Sequence, residues 1–253
     1  MKIATYLINL DGSNDRLASA TAQLQQHGIA FERIAAVDGR QFASQQLQEA
    51  YQQSKAIASM GRDLSPGEVG CYLSHIKAVR AFVASTADVG VVLEDDFCLQ
   101  DNYIPALETA VECLQSHART DWQVINISNA KLKIASRLCA LPRSASGKNA
   151  LYHAHYFPML ATAIVWSRAG AEAFLKAAEP IFCPYDNFLC YWQTRENKGY
   201  SIFPPLISSS EVASDIDAAG KRKTIQRGRG YGLAKQKRLW QDKFIALGNK
   251  FKK

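Results

Sequence analysis

Apolar residues gather from Lys2 to Leu10 and predict a first strand. The turn Asp11-Gly12-Ser13-Asn14-Asp15 follows, with Ser13 or Asn14 placed to cap a helix through about Gly28. Phe31 to Ala36 predicts a second strand, ended by Val37-Asp38-Gly39-Arg40. A polar, Gln-rich helical stretch runs to about Ala58, with few apolar anchors between Gln41 and Gln53. Ser65-Pro66-Gly67-Glu68 combines a capping box with Pro at the first helical position, which predicts a helix through about Ala84. The run Val89-Gly90-Val91-Val92-Leu93 is too short for a helix and rich in Val, and so reads as a buried parallel strand.

Helical periodicity returns from Tyr103 to His117, and Trp122 to Ile127 predicts another strand. Residues 130–150 are basic, Ser-containing and weakly patterned, which predicts a surface loop. Leu160 to Trp166 reads as a strand, Ser167 as the cap of a helix through Ala178, and Pro184-Tyr185-Asp186 as the lead into a further helix. Tyr200 to Phe203 is the last strand expected. Strands alternating with helices predict an α/β, three-layer sandwich around a mostly parallel sheet.

With 253 residues, 47% of them hydrophobic, the chain can bury one large core. No apolar run is long enough to span a bilayer, and the N-terminus lacks a signal peptide's apolar segment. The six cysteines show no metal-binding spacing and read as reduced thiols of a cytoplasmic protein. The net charge of +7 is unevenly spread. From Lys221 to Lys253 eight Lys and four Arg face a single acid, Asp242, a net of +11, so residues 1–220 carry −4. The chain therefore divides into a mildly acidic body, residues 1–220, and a basic tail, residues 221–253.

The candidate chemistry sits at Glu94-Asp95-Asp96, which ends the Val-rich strand where open α/β sheets place their ligand crevices. Adjacent carboxylates repel unless a cation or hydrogen-bond donors compensate. A hard divalent ion carrying a substrate diphosphate is one compensator. A solvated acidic turn is the other reading.

Four stretches together resemble glycosyltransferase family 25, the group that includes bacterial lipooligosaccharide galactosyl- and glucosyltransferases. They are Ile8-Asn9-Leu10-Asp11 with Asp15-Arg16; Leu64-Ser65-Pro66-Gly67-Glu68-Val69-Gly70-Cys71 with Ser74-His75; Leu93-Glu94-Asp95-Asp96; and Ala161-Thr162-Ala163 with Ser167-Arg168, followed by Asp186. The likeness covers roughly residues 1–215, and its specificity lies in the ordered set rather than in any one motif. It implies a GT-A-type, Rossmann-like fold, a UDP-hexose donor, Mn²⁺ or Mg²⁺, and an inverting transfer to a lipooligosaccharide or lipopolysaccharide core.

On that resemblance Asp96 is a direct metal ligand, and Glu94 lies at the metal or the ribose. Asp95 belongs to the same donor motif. Asp11 and Arg16, just after the first strand, stand where a nucleotide would rest, with a turn-forming Asp and a solvated Arg as the plain alternatives. The capping box alone accounts for Ser65 and Glu68, although Glu68 also falls near the acidic strand end. His75 lies two turns beyond Glu68 on the same face and is a candidate for donor phosphate. Asp186 is the candidate general base, with a simple helix cap as its alternative. There is no His after His155, so a third protein ligand would have to be Glu211 or a hydroxyl of Ser208-Ser209-Ser210. His153 and His155, two apart, share one side of a strand and are either acceptor contacts or structural.

In the tail, Leu233, Trp240, Phe244, Leu247 and Phe251 recur at helical spacing, with Lys235, Lys237, Arg238, Lys243, Lys250 and Lys252 around them. That pattern predicts a basic amphipathic helix lying on an anionic membrane surface, peripheral on the inner face of a bacterial inner membrane. A helix packed on the body, or an arm for RNA, are its alternatives. The expected partners are thus a UDP-sugar, a lipid-linked oligosaccharide acceptor and an anionic membrane, with no nucleic acid. Rival readings are a nucleic-acid-binding protein acting through the tail, a metal-dependent phosphohydrolase, and a family member that has lost turnover.

Overall fold

A computed structural model of the chain describes residues 1–117, 119–144, 147–209 and 231–252. Strand β1, Ile3–Asn9, sends Tyr6 and Ile8 to one face of the sheet and Leu7 to the other, the period-2 alternation of a strand buried on both sides. Its parallel neighbours are β2, Phe31–Ala35, and β3, Val89–Glu94. Helix α1, Asn14–Gln26, connects β1 to β2. Between β2 and β3 come α2, Ser44–Ala50, α3, Gln53–Met60, and α4, Pro66–Ala84. The Gln-rich stretch is therefore two helices. Tyr51 is buried at the break, where the Gln52 amide donates to the Ile181 carbonyl, 2.7 Å, so a tertiary anchor interrupts the polar run.

After β3 come β4, Phe97–Leu99, α5, Tyr103–Ser116, β5, Val124–Asn126, β6, Ser136–Ala140, β7, Ala150–His153, and β8, Ala163–Ser167. Helices α6, Arg168–Ala177, and α7, Tyr185–Glu196, precede β9, Gly199–Phe203, β10, Ile207–Ser209, and α8, Tyr231–Phe251. The main sheet has the order β2-β1-β3-β8-β5-β9-β7-β6, and β10 pairs antiparallel with β4. Strands β7 and β8 run against the other six, so the sheet is mostly parallel in strand direction but mixed in pairing. One apolar layer lies under α4, α6 and α7, and another under α1 and α5, which gives the three-layer α/β sandwich expected.

Three expectations need correction. Residues 130–150 include β6 and part of the β6–β7 pairing rather than forming only a surface loop; their half-exposed, bulged register leaves only a weak alternation to read. The strand series continues past Phe203 to β10. Cys113 and Cys139 form a disulfide with Cα atoms 6.7 Å apart, because β6 runs beside α5; only Cys71, Cys98, Cys183 and Cys190 are free. Glu211, Ser210 and residues 221–230 of the tail lie outside the described residues. Among the described residues, no helix is long and apolar enough to cross a membrane.

Helix α8 packs on the body. Asp242 pairs with Arg195 of α7 at 2.9 Å, Asn249 Nδ2 donates to the Thr194 carbonyl, 2.8 Å, and Ala246 is fully buried. Arg238 donates to the carbonyl and hydroxyl oxygens of Ser59, at the end of α3.

Candidate functional site

The site forms where β3 ends. Glu94 closes the strand, its amide donating to the Thr162 carbonyl at 2.8 Å, and Asp95 and Asp96 make the turn into β4. All three carboxylates are only partly exposed and lie close together, the condition under which like charges must be compensated.

Asn9, the last residue of β1, organises one side of this turn. Its Nδ2 donates to Asp95 Oδ2 at 2.7 Å and to the Ser13 carbonyl at 3.1 Å, while its Oδ1 accepts from Arg33 Nε at 3.0 Å. Arg16 of α1 adds an ion pair to Asp95 Oδ1 at 3.2 Å. Burial and the Glu94 charge still leave Asp95 above its ordinary pKa, against the pull of Asn9 and Arg16. Asp11 points outward and pairs with Arg33 of β2. Arg16 is thus engaged with the triplet, while Asp11 sits at the exposed rim.

Helix α4 organises the other side. Its capping box forms as expected: the Glu68 amide donates to Ser65 Oγ at 3.2 Å, and the Ser65 amide to Glu68 Oε2 at 2.9 Å. Arg62 adds a buried two-point pair to the same carboxylate, at 2.8 and 2.6 Å, so Glu68 holds the helix start rather than facing a cleft. Gly70 lets the helix approach the turn after β2; a Cβ there would stand 2.4 Å from the Val37 carbonyl oxygen.

One turn on, Cys71 and His75 share a helix face, and both reach Glu94 Oε1: His75 Nε2 at 3.1 Å and Cys71 Sγ at 3.6 Å. Burial pushes Glu94 up, but hydrogen bonds from His75 and Cys71 and the charges of His75 and Arg16 outweigh it, so its carboxyl titrates below its ordinary value. His75 is fully buried and stacks on Tyr185 with ring centroids 3.7 Å apart, so its contact with the acidic turn is through Glu94. Sequence reasoning placed His75 here but missed Asn9, Cys71 and Tyr185. The i, i+4 spacing of Cys71 and His75 was the available signal.

Asp96 is the least compensated of the three. Burial first, then the charges of Glu94 and Asp95, raise its pKa to about 6. Among the described residues its buried Oδ1 has no hydrogen-bond partner. An orphaned carboxylate oxygen beside the low-pKa Glu94 fits a hard divalent cation. Cys71, His75 and Glu94 also bring three potential ligand atoms within 4.8 Å. There, however, burial and the nearby carboxylates hold the Cys71 thiol far above its usual pKa, so it is a neutral donor to Glu94 and a poor ligand.

Asp186 arrives from α7. Pro184 occupies the cap position, and Asp186 is the second helical residue, accepting from the Asn187 amide at 2.8 Å. Its charge, like that of Glu94, helps to hold the Cys71 thiol above its usual pKa. Met159 and Leu160 are exposed near the same helix start, and Asn187 Nδ2 lies 3.8 Å from Met159 Sδ. His153 and His155 are elsewhere: His153 Nε2 donates to the Asn197 carbonyl at 2.8 Å, and His155 contacts Asn197 Oδ1 at 2.9 Å and Ser136 Oγ at 3.0 Å. They secure the left-handed Asn197 that ends α7, a structural duty. Ser208, which is exposed, pairs in the β10–β4 ladder with Cys98, two residues after Asp96.

Among curated proteins the chain is similar to procollagen galactosyltransferase 1 of Danio rerio, 29% identical over 228 residues, 83% of this chain and 37% of that protein. It is also similar to a probable inactive glycosyltransferase 25 family member 3 of Rattus norvegicus, 27% identical over 234 residues, 84% of this chain and 39% of that protein. The chain thus spans little more than a third of the length of these relatives. Among solved structures, a glycosyltransferase involved in glycosylation of the major capsid of PBCV-1 aligns over 89% of this chain and 100% of its own, at 8% identity and a TM-score of 0.41. Residues 2–189 match the profile of Glycosyltransferase family 25 (LPS biosynthesis protein), three-quarters of the chain and all of the site just described, and the chain belongs to that family.

Proposed function

We propose that the chain is a GT-A-type, inverting, metal-dependent hexosyltransferase that moves galactose, or glucose, from a UDP-sugar to a hydroxyl of a lipooligosaccharide or lipopolysaccharide core. The observation that carries this reading is the acidic turn at the end of β3, where Asp96 is under-compensated and Glu94 is held by His75 and Cys71, with Asp186 at the start of α7 as the further carboxylate. Galactose is favoured because one of the relatives is named a procollagen galactosyltransferase, and the core acceptor because the family description names LPS biosynthesis. The division into a transferase body, residues 1–220, and a basic tail, residues 221–253, belongs to the same proposal.

Asp96 and Glu94 would hold Mn²⁺ or Mg²⁺, which when bound supplies positive charge against the leaving diphosphate. The chain's own residues do the rest. His75 and Cys71 fix the Glu94 oxygen and leave its other oxygen directed elsewhere. Asn9 and Arg16 immobilise Asp95 and so set the backbone turn that aims Asp96. Asp11, with Arg33, offers a polar rim after β1 for the nucleotide. Asp186 takes the proton from the acceptor hydroxyl as that oxygen bonds to the anomeric carbon, while the bond from that carbon to UDP breaks on the opposite face. The exposed Met159 and Leu160 beside α7 give the incoming sugar an apolar edge.

The test is UDP release from a panel of UDP-sugars with truncated lipooligosaccharide as acceptor, with and without Mn²⁺. Release from one UDP-hexose, stimulated by acceptor and abolished by chelator and by Asp186→Asn, supports the reading. Metal-stimulated phosphate release without sugar transfer would point to a phosphohydrolase. The relatives named inactive make a second reading concrete: nucleotide binding without release would mark a chain that retains the site and has lost turnover.

A further inference from the structure

Helix α8 has two faces with opposite fates. At about 100° per residue, Arg238, Asp242, Ala246 and Asn249 fall on one side, and these are the residues fastened to α3 and α7. Leu233, Trp240, Phe244, Leu247 and Phe251 fall within about 60° of one another, roughly opposite the docked side. They are open to solvent: Leu233 is 80% exposed, Phe251 77%, Phe244 65% and Trp240 54%. An amphipathic helix that packs on its own core buries its aromatic stripe, and this one does the reverse.

The charges follow the same division. Lys237 borders the stripe on one side, and Lys243 and Lys250 border it on the other, all exposed. Lys243 rests over the Trp240 ring at 4.7 Å. Asp242 is the one acid between residues 231 and 252, and it is turned inward onto Arg195. The outward face is therefore apolar, aromatic, basic along both edges and free of negative charge.

We propose that this outward face of α8 is an in-plane docking surface for an anionic lipid bilayer, held in fixed orientation on the enzyme body by the Asp242–Arg195 and Asn249–Thr194 contacts. Trp and Phe would enter the headgroup region while the flanking lysines meet lipid phosphates. A second copy of the chain is the weaker occupant, because a two-fold contact through this face sets lysine against lysine. The proposal extends the lipid-linked acceptor reading by naming the surface at which the acceptor is met, and its test does not depend on turnover.

The full chain is mixed with vesicles of phosphatidylglycerol and phosphatidylcholine, and with phosphatidylcholine alone. Trp122, Trp166 and Trp192 are buried, so aqueous quenching of tryptophan emission reports chiefly on Trp240. Expected are co-sedimentation with the anionic vesicles only, a blue shift and protection from quencher. Phe244→Ser should weaken vesicle binding about tenfold, and Lys237→Gln with Lys243→Gln should flatten its salt dependence. UDP release with a soluble acceptor fragment should stay unchanged in both variants. Absence of binding to anionic vesicles overturns the proposal, as does concentration-dependent self-association without lipid that Phe244→Ser removes. Vesicle binding without any UDP release would instead leave this surface standing and remove the transferase reading.

Discussion

His75 and the His153–His155 pair are both withdrawn from solvent, but their surroundings differ in kind. His75 meets a carboxylate, with one ring nitrogen on Glu94 and its ring face on Tyr185. The hydrogen-bond partners of His153 and His155 are neutral groups, the backbone and side chain of Asn197 and the Ser136 hydroxyl. The first arrangement orients a charge that remains partly open at the C-terminal end of β3. The second closes the C-terminus of a helix and pushes both imidazoles down, His153 to about 4, chiefly through burial. A buried histidine therefore points to chemistry when it restrains a charge that other groups leave available, and to architecture when its partners are spent on one another.

The sharpest way to break this contrast is at the carboxylates themselves. Asp96→Asn should lower transfer by a factor on the order of 10³, the scale of removing one electrostatic contact to a leaving group. It should leave thermal stability unchanged or slightly higher, since the substitution relieves repulsion from Glu94 and Asp95. Thermal melts alongside initial rates check both halves.

One step removed, His75→Ala should cost 10- to 100-fold in activity, as the loss of an orienting partner does. His75→Gln, which keeps a donor for Glu94 Oε1, should recover part of it, and a rate ratio of one between the two variants would mean that His75 only fills space. At the contrasting site, His153→Asn should leave transfer at neutral pH unaltered and change acid stability instead. The unfolded histidine titrates near 6.5 and the folded one near 4, so the unfolded chain takes up the proton first. Stability is then complete above about pH 6.5 and falls by roughly 3 kcal/mol as pH drops towards about 4. The variant should flatten that decline in denaturant titrations run from pH 7 to pH 4. The smallest effect is expected at the rim: Asp11→Asn breaks a largely exposed pair with Arg33 and should alter stability by less than about 1 kcal/mol.

Much of this was legible in the chain. The Ser65–Glu68 capping box, the Val-rich β3 and the Ser167 cap are local devices, and each forms where its residues require. The triplet was readable as a candidate because three adjacent acids after a buried strand repel unless a cation, donors or solvent compensates them. What stayed hidden was non-local. The insertion of β8 antiparallel between β3 and β5 depends on which edge the chain returns to, and nothing in Ala163–Ser167 encodes it. Strand β6 pairs through a bulge between Arg137 and Cys139, which blurs its alternation. Asn9 is an ordinary polar strand end until Asp95, Arg33 and Ser13 are brought around it. The apolar stripe of α8 was visible and expected to face outward, but that the opposite, polar face would dock on the body was not.

The most direct test is a titration of Mn²⁺ by electron paramagnetic resonance in the presence of UDP-galactose, comparing the unaltered chain with Asp96→Asn and Cys71→Ser. Nucleotide-dependent Mn²⁺ binding that Asp96→Asn abolishes and Cys71→Ser preserves is the predicted result. Binding that survives Asp96→Asn and disappears with Cys71→Ser would place the ion on the Cys71–His75–Glu94 cluster and contradict the account.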